Sequence, residues 1–116
     1  MTCHAMVKNN YLDESMERLA EYFKVLSEPN RLVVLEVLKD GEHNVSAVVE
    51  KTGLSQALVS KHLRLLTIAG LVKRMPEGSL VFYKVVDKGV FKLITQANKL
   101  LLSAHQQQLE ALNSTL

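Results

Sequence analysis

Cysteine, proline and tryptophan are scarce here: one Cys, two Pro and no Trp in 116 residues. With Cys3 alone, an intrachain disulfide framework is excluded, and the chain suits a reducing compartment. No apolar run approaches the roughly 20 residues that a membrane-spanning helix needs. Met1 to Asn10 lacks the charged-then-apolar order of an export signal, so the expected location is the cytoplasm, without a membrane partner. A Gly-rich phosphate loop, a nucleophile elbow and a His-Glu metal cluster are also missing. Asp13, Glu14 and Glu17 are the nearest thing to paired catalytic carboxylates. Their place in the first turns of a helix, where they favour its positive end, explains them without chemistry. An enzyme is not expected.

What is present is an ordinary globular balance, 47% hydrophobic and 22% charged residues. A chain of this length makes one domain, placed at 11–113 after an N-terminal arm at 1–10. The net charge of +2 hides an uneven distribution. Residues 1–50 carry five basic and nine acidic side chains, a net of −4. Residues 51–84 carry Lys51, Lys61, Arg64, Lys73, Arg74 and Lys84 against Glu77 alone, a net of +5. So concentrated a basic segment is what a polyanion-binding surface requires.

Periodicity supplies the elements. Leu12, Met16, Leu19, Ala20 and Phe23 recur at helical spacing over Tyr11 to Ser27. Pro29 opens a second helix, where its missing N–H costs nothing. Leu32, Val33, Leu35, Val37 and Leu38 make that helix apolar nearly all round, so burial is expected, with an end near Asp40-Gly41. Asn44 caps a third helix to Thr52, with Val45, Val48 and Val49 inward. After Gly53-Leu54-Ser55, a fourth runs from Gln56 to Ala69 and stops at Gly70. Two β-forming runs, Leu71 to Met75 and Leu80 to Val86, flank a four-residue loop Pro76-Glu77-Gly78-Ser79. Asp87 caps a last helix to about Leu112. Four helices, a hairpin and a long helix, with two short helices joined by a Gly-containing turn, describe a winged helix-turn-helix. The fold class is mainly α with a β-hairpin wing.

Such a fold reads DNA through the second helix of the pair. Val59, Leu63 and Leu66 point inward, leaving Gln56, Ser60, Lys61 and Arg64 outward. Glutamine pairs bidentately with adenine and Arg or Lys with guanine, while Ser and Lys hold phosphates. With Ser55 at the turn and Lys73, Arg74 and Lys84 around the hairpin tip, these residues form the expected interface with double-stranded DNA. The hairpin lies along the backbone or dips into a minor groove. The terminal helices are more apolar than one small domain can use. Leu12, Met16, Leu19, Phe91, Ile94 and Leu101 are therefore expected in a homodimer interface, whose twofold axis matches an inverted-repeat operator. The competing reading is a winged helix used for protein contacts, and the basic middle segment disfavours it.

Several stretches carry a resemblance. They are Leu26-Ser27-Glu28-Pro29-Asn30-Arg31-Leu32, Gly53-Leu54-Ser55-Gln56, Val59-Ser60-Lys61-His62-Leu63, Ala69-Gly70-Leu71-Val72 and Phe82-Tyr83-Lys84. Together they resemble the ArsR/SmtB family of prokaryotic repressors. The resemblance implies a dimeric winged-helix repressor that leaves its operator when an inducer, often a metal ion, binds. The chain departs from the family where metals bind. Asn44-Val45-Ser46 replaces two cysteines flanking a valine. Asp87 survives at the start of the last helix, but Gly89, Leu100 and Ser103 replace zinc ligands, so neither site supplies the four donors zinc needs. No cofactor is expected. Cys3, His4 and His43 remain as candidate metal, haem or redox residues. His62 reads as a hydrogen-bonded structural histidine and His105 as solvent-facing. A small-molecule, haem, metal or redox inducer stays open.

Overall fold

A computed structural model describes residues 10–115. The elements follow in the order α1 (Asn10–Val25), α2 (Pro29–Val37), a 3-10 turn (Leu38–Asp40), β1 (His43–Asn44), α3 (Val45–Thr52), α4 (Gln56–Ile68), β2 (Val72–Glu77), β3 (Leu80–Val85) and α5 (Gly89–Thr115). Contacts divide the chain into two compact units, Met1–Val85 and Val86–Leu116. No helix among the described residues is long and apolar enough to cross a membrane.

Local chemistry sets most boundaries in the first unit. The corner between α1 and α2 is tied from both sides. Glu28 caps α2 by accepting from the Asn30 N–H at 2.6 Å, and Pro29 takes the first helical position. Arg31 reaches back and donates from Nε to the Val25 carbonyl at 2.6 Å, placing a cation on carbonyls that α1 leaves unpaired. Asn44 caps α3 through the Ala47 N–H, and Ser55 caps α4 through the Leu58 N–H. Gly70, at φ +85°, closes α4. Its N–H reaches Thr67 and the Leu71 N–H reaches Leu66, the paired bonds of a left-handed helix stop.

Val34, Leu35, Leu38, Val48, Val59, Leu63 and Leu66 form the fully buried centre, one patch each from α2, its 3-10 extension, α3 and α4. Leu71, Val72 and Val85 seal it from the sheet side. α2 is less enclosed than its composition suggests, because Val33 stays 44% exposed. Three helices cover only part of a nine-residue helix's circumference.

The sheet has the antiparallel order β1-β3-β2. Two features differ from the expectation. β1, a two-residue strand pairing His43 with Tyr83 and Asn44 with Phe82, has no sequence signal of its own. The hairpin loop is also two residues long rather than four. Pro76 pairs with Val81 and Glu77 with Leu80, leaving only Gly78-Ser79 to turn. Gly78 sits at φ +65° while Ser79 is not at positive φ, the pattern of a II′ turn, whose twist matches that of the strands it joins.

The second unit is α5, entered through Asp87, whose carboxylate accepts from the Gly89 N–H at 2.8 Å. Val90 and Phe91 are buried, whereas Leu100, Leu101 and Leu102 are exposed.

Candidate nucleic-acid interface

The outward side of α4 is polar because its inward side is spent on the core. Val59, His62, Leu63 and Leu66 are buried, and Gln56, Ser60, Lys61 and Arg64 are exposed. Gln56, Ser60 and Arg64 follow one another at i, i+4, so they line one edge of the helix. Beside them a groove of about 560 Å³ opens between α4 and the hairpin. Its walls are Ala57, Ser60, Lys61, Arg64, Thr67 and Ile68 on one side and Arg74 and Tyr83 on the other.

Strand alternation separates the basic residues of the hairpin. Arg74 stands opposite Tyr83, and Lys73 opposite Lys84. Neighbouring pairs point to opposite faces of the sheet, so Arg74 joins the α4 groove while the two lysines lie on the other face. The expected cluster around the tip is thereby corrected. Lys73 and Lys84 are four pairs back from the Glu77–Leu80 pair that closes the turn, about 13 Å at 3.3 Å per residue. The tip holds Glu77 and Leu80, and no cation. Two lysines directly across a ladder repel each other, a cost that an external anion would relieve. Among the described residues, no carboxylate lies within 4.0 Å of Lys61, Arg64, Lys73, Arg74 or Lys84.

Ser55 is committed to capping, which leaves its hydroxyl hydrogen available outward. Tyr83 is the residue that sequence reasoning passed over. The four-residue loop read there sets Val81 opposite Arg74, and only the two-residue turn puts Tyr83 level with it.

The histidines fare differently. His62 is only 3% exposed, as a core residue of α4. Among the described residues its Nδ1 has no hydrogen-bond partner, and its Nε2 lies 3.9 Å from Glu28 Oε1. The expected hydrogen-bonded histidine is therefore a buried one with a single long polar contact. Burial pushes its pKa below 6.5; Glu28 opposes that shift, and Arg31 and Lys61 add to it. His43 uses both ring nitrogens. Nδ1 lies 2.9 Å from the Gly41 carbonyl and so carries the proton, and Nε2 faces Lys51 Nζ at 3.1 Å. Binding a metal would mean displacing that lysine. Cys3 and His4 lie outside the described residues. Among those described, no group of three His, Cys, Asp or Glu is placed to hold a metal ion.

The candidate interface between copies also sorts by burial. Leu12, Met16, Leu19 and Phe23 form one stripe on α1, each 45–52% exposed. The opposite side of α1, with Glu14, Arg18, Glu21 and Val25, faces Arg31, Leu65, Ile68 and Ala69 across a cavity of about 790 Å³. The helix thus turns its charged side to its own unit and its apolar side away. On α5, Leu101 is 67% exposed and Ile94 partly so, but Phe91 is 7% exposed and has little area left to offer a partner.

Comparison with known proteins follows the same lines. The profile described as "Bacterial regulatory protein, arsR family" matches residues 28–74. An uncharacterized HTH-type transcriptional regulator of Methanocaldococcus jannaschii is 35% identical, over 75% of this chain and 99% of its own length. A Staphylococcus aureus homologue of the cadmium resistance regulatory protein CadC is 37% identical, over 79% of this chain and 73% of its own. Among solved structures, NolR from Sinorhizobium fredii superposes with a TM-score of 0.71 at 27% identity, covering 79% of this chain and 92% of that one. The homodimeric winged helix-turn-helix DNA-binding domain of a Mycobacterium bovis protein gives a TM-score of 0.72 at 24% identity. It covers 93% of this chain and 95% of that domain, and it speaks for the fold.

Proposed function

Since the chain belongs to the arsR family of winged helix-turn-helix DNA-binding transcriptional regulators, we propose that it represses transcription in the cytoplasm by binding an inverted-repeat operator as a homodimer. The observation that carries this reading is the face of α4. Gln56, Ser60 and Arg64 run along one edge, with Lys61 beside them and, among the described residues, no acid within 4.0 Å of the cations. Gln56 and Arg64 can read base edges in a major groove, while Ser55, Ser60 and Lys61 hold its phosphates.

The twofold partner follows from α1. A stripe of Leu12, Met16, Leu19 and Phe23 turned away from its own unit keeps about half its surface in water. Covering it with a second copy, together with Ile94 and Leu101 of α5, removes that exposure and presents two α4 helices to one duplex.

An inducer then releases the operator. The cadmium resistance in the name of the S. aureus relative is not transferred to this chain. Asn44, Ser46, Gly89, Leu100 and Ser103 offer no thiolate or imidazole where the family's metal sites lie.

The test is fluorescence anisotropy of labelled DNA from upstream of the protein's own gene, titrated against scrambled competitor. Saturable binding that outcompetes scrambled DNA is expected. Arg64→Ala should cost about 1–3 kcal/mol per protomer and relax specificity at one base pair of each half-site, and Lys61→Ala should weaken all sequences alike. Equal binding of scrambled DNA by the wild type would instead point to a protein-contact module.

A further inference from the structure

The hairpin's charge lies at its base, and this bears on which part of the wing meets the duplex. Arg74 and Tyr83 face each other across β2 and β3, three pairs back from the turn, about 10 Å from it. Both line the groove whose other wall carries Lys61 and Ser60. Among the described residues Arg74 has no acid within 4.0 Å, and the hydroxyl of the half-buried Tyr83 makes no hydrogen bond. A guanidinium and a phenol side by side, with an ammonium opposite, make a donor set suited to the two unesterified oxygens of one phosphodiester. Thr67, on the same wall, already donates to Leu63 at 2.7 Å and takes no part.

The tip is the reverse. Glu77 brings a carboxylate to the pair that closes the turn, and Leu80 there is 52% exposed. A minor groove is narrow and strongly negative, and cations are what enter it. A tip of Glu77, Gly78, Ser79 and Leu80 has no cation to pair with phosphates and one carboxylate that repels them.

We infer that the groove between α4 and the hairpin seats a DNA backbone phosphate held by Arg74 and Tyr83, with Lys61 adding charge, while the hairpin tip stands off the duplex. This rests on the DNA-binding reading above and adds where the wing touches. α4 reads the bases, and the base of the wing fixes how α4 sits on the backbone.

The experiment is anisotropy with the full chain on operator and on scrambled DNA, from 50 to 200 mM KCl. Arg74→Ala removes one phosphate contact per protomer, about 0.9 in the slope of log K against log salt, or nearly 2 for a dimer. Across that fourfold salt range the wild type should therefore lose about tenfold more affinity than the variant. Arg74→Ala should weaken operator and scrambled DNA by the same factor. Tyr83→Phe keeps the ring and removes the donor, so it should cost about threefold to tenfold per protomer without changing the slope. Arg74→Lys should restore the slope, which a merely misfolded hairpin would not do. At about 150–200 mM KCl, Glu77→Gln and Leu80→Ala should stay within about twofold of wild type, since a charge beyond a Debye length of about 8 Å is largely screened. Phosphate should displace DNA no better than chloride at equal ionic strength, and stronger displacement would reassign the groove to a free anion.

If the wild type selects its operator but Arg74→Ala and Tyr83→Phe change nothing, the phosphate seat is wrong and the DNA reading stands. A slope altered by Glu77→Gln as much as by Arg74→Ala would put the tip on the DNA. No preference for operator over scrambled DNA in the wild type would remove the premise itself.

Discussion

Leu19→Glu tests the orientation of α1 most sharply. Leu19 sits at the middle of the α1 stripe and is 45% exposed in the single chain. Fully burying a leucine gains about 1.5–3 kcal/mol, so covering its exposed half is worth about 1 kcal/mol per copy. A twofold axis counts it twice, about 2 kcal/mol per dimer. Glutamate in its place forfeits that and adds the cost of desolvating a carboxylate on each side, at least as much again. A total of about 4 kcal/mol is roughly a thousandfold in the dimer dissociation constant. Sedimentation equilibrium should show the variant near the 13.0 kDa of one chain at concentrations where the wild type is twice that. Leu19→Ala should weaken the dimer about thirtyfold, following the 2 kcal/mol alone. Glu21→Ala, on the cavity side of α1, should leave association unchanged. The variant's helical circular dichroism should match the wild type, because the side chain is not part of the unit's own core. If Leu19→Glu associates as tightly as wild type, the stripe does not meet a second copy, and the argument from its outward turn fails.

Other consequences follow from single contacts. His62 has a folded pKa below 6.5, so the unfolded chain binds its proton more readily. Its stability contribution is therefore full above about pH 7 and falls as pH drops from 6.5 toward the lowered value. The urea midpoint should decrease between pH 7.5 and 5.5, and His62→Gln should flatten that change; an unaltered pH profile in the variant would assign it elsewhere. Asn44→Ala removes the α3 cap and should cost about 1 kcal/mol in thermal unfolding, with Asn44→Asp largely restoring it. Gly78→Ala places a Cβ at φ +65° and should destabilise the hairpin by about 1 kcal/mol. Measured at a temperature where the variant is folded, its operator affinity should equal wild type; a large loss would contradict a tip held off the DNA.

Elements marked by local chemistry were readable from the chain alone. Pro29 after Glu28, Asn44 before a valine-rich run, Ser55 before Gln56 and Gly70 after α4 each satisfy or end a helix through neighbours within five residues. The inward row Val59, Leu63 and Leu66 follows from the helical period, and with it the outward polar row of Gln56, Ser60 and Arg64. The hairpin was readable as two strands but not in register. Pro and Glu beside Gly-Ser look like loop, and only the pairing of Pro76 with Val81 shows that the turn is tighter.

The amino-acid order thus determined the helix-turn-helix, the basic middle and the apolar terminal helices, because each depends on residues close in sequence. Tertiary structure alone decided three further matters. It brought His43-Asn44 against β3 some forty residues away, where no local preference marks a two-residue strand. It set which face of the hairpin meets α4: alternation puts Arg74 and Lys73 on opposite faces in any register, but only the seating of Val72 and Val85 on the core turns the Arg74–Tyr83 face to the α4 groove. It also chose which way the α1 stripe faces. Helical spacing shows that such a stripe exists, but only the position of α1 against Arg31 and α4 turns it away from its own unit.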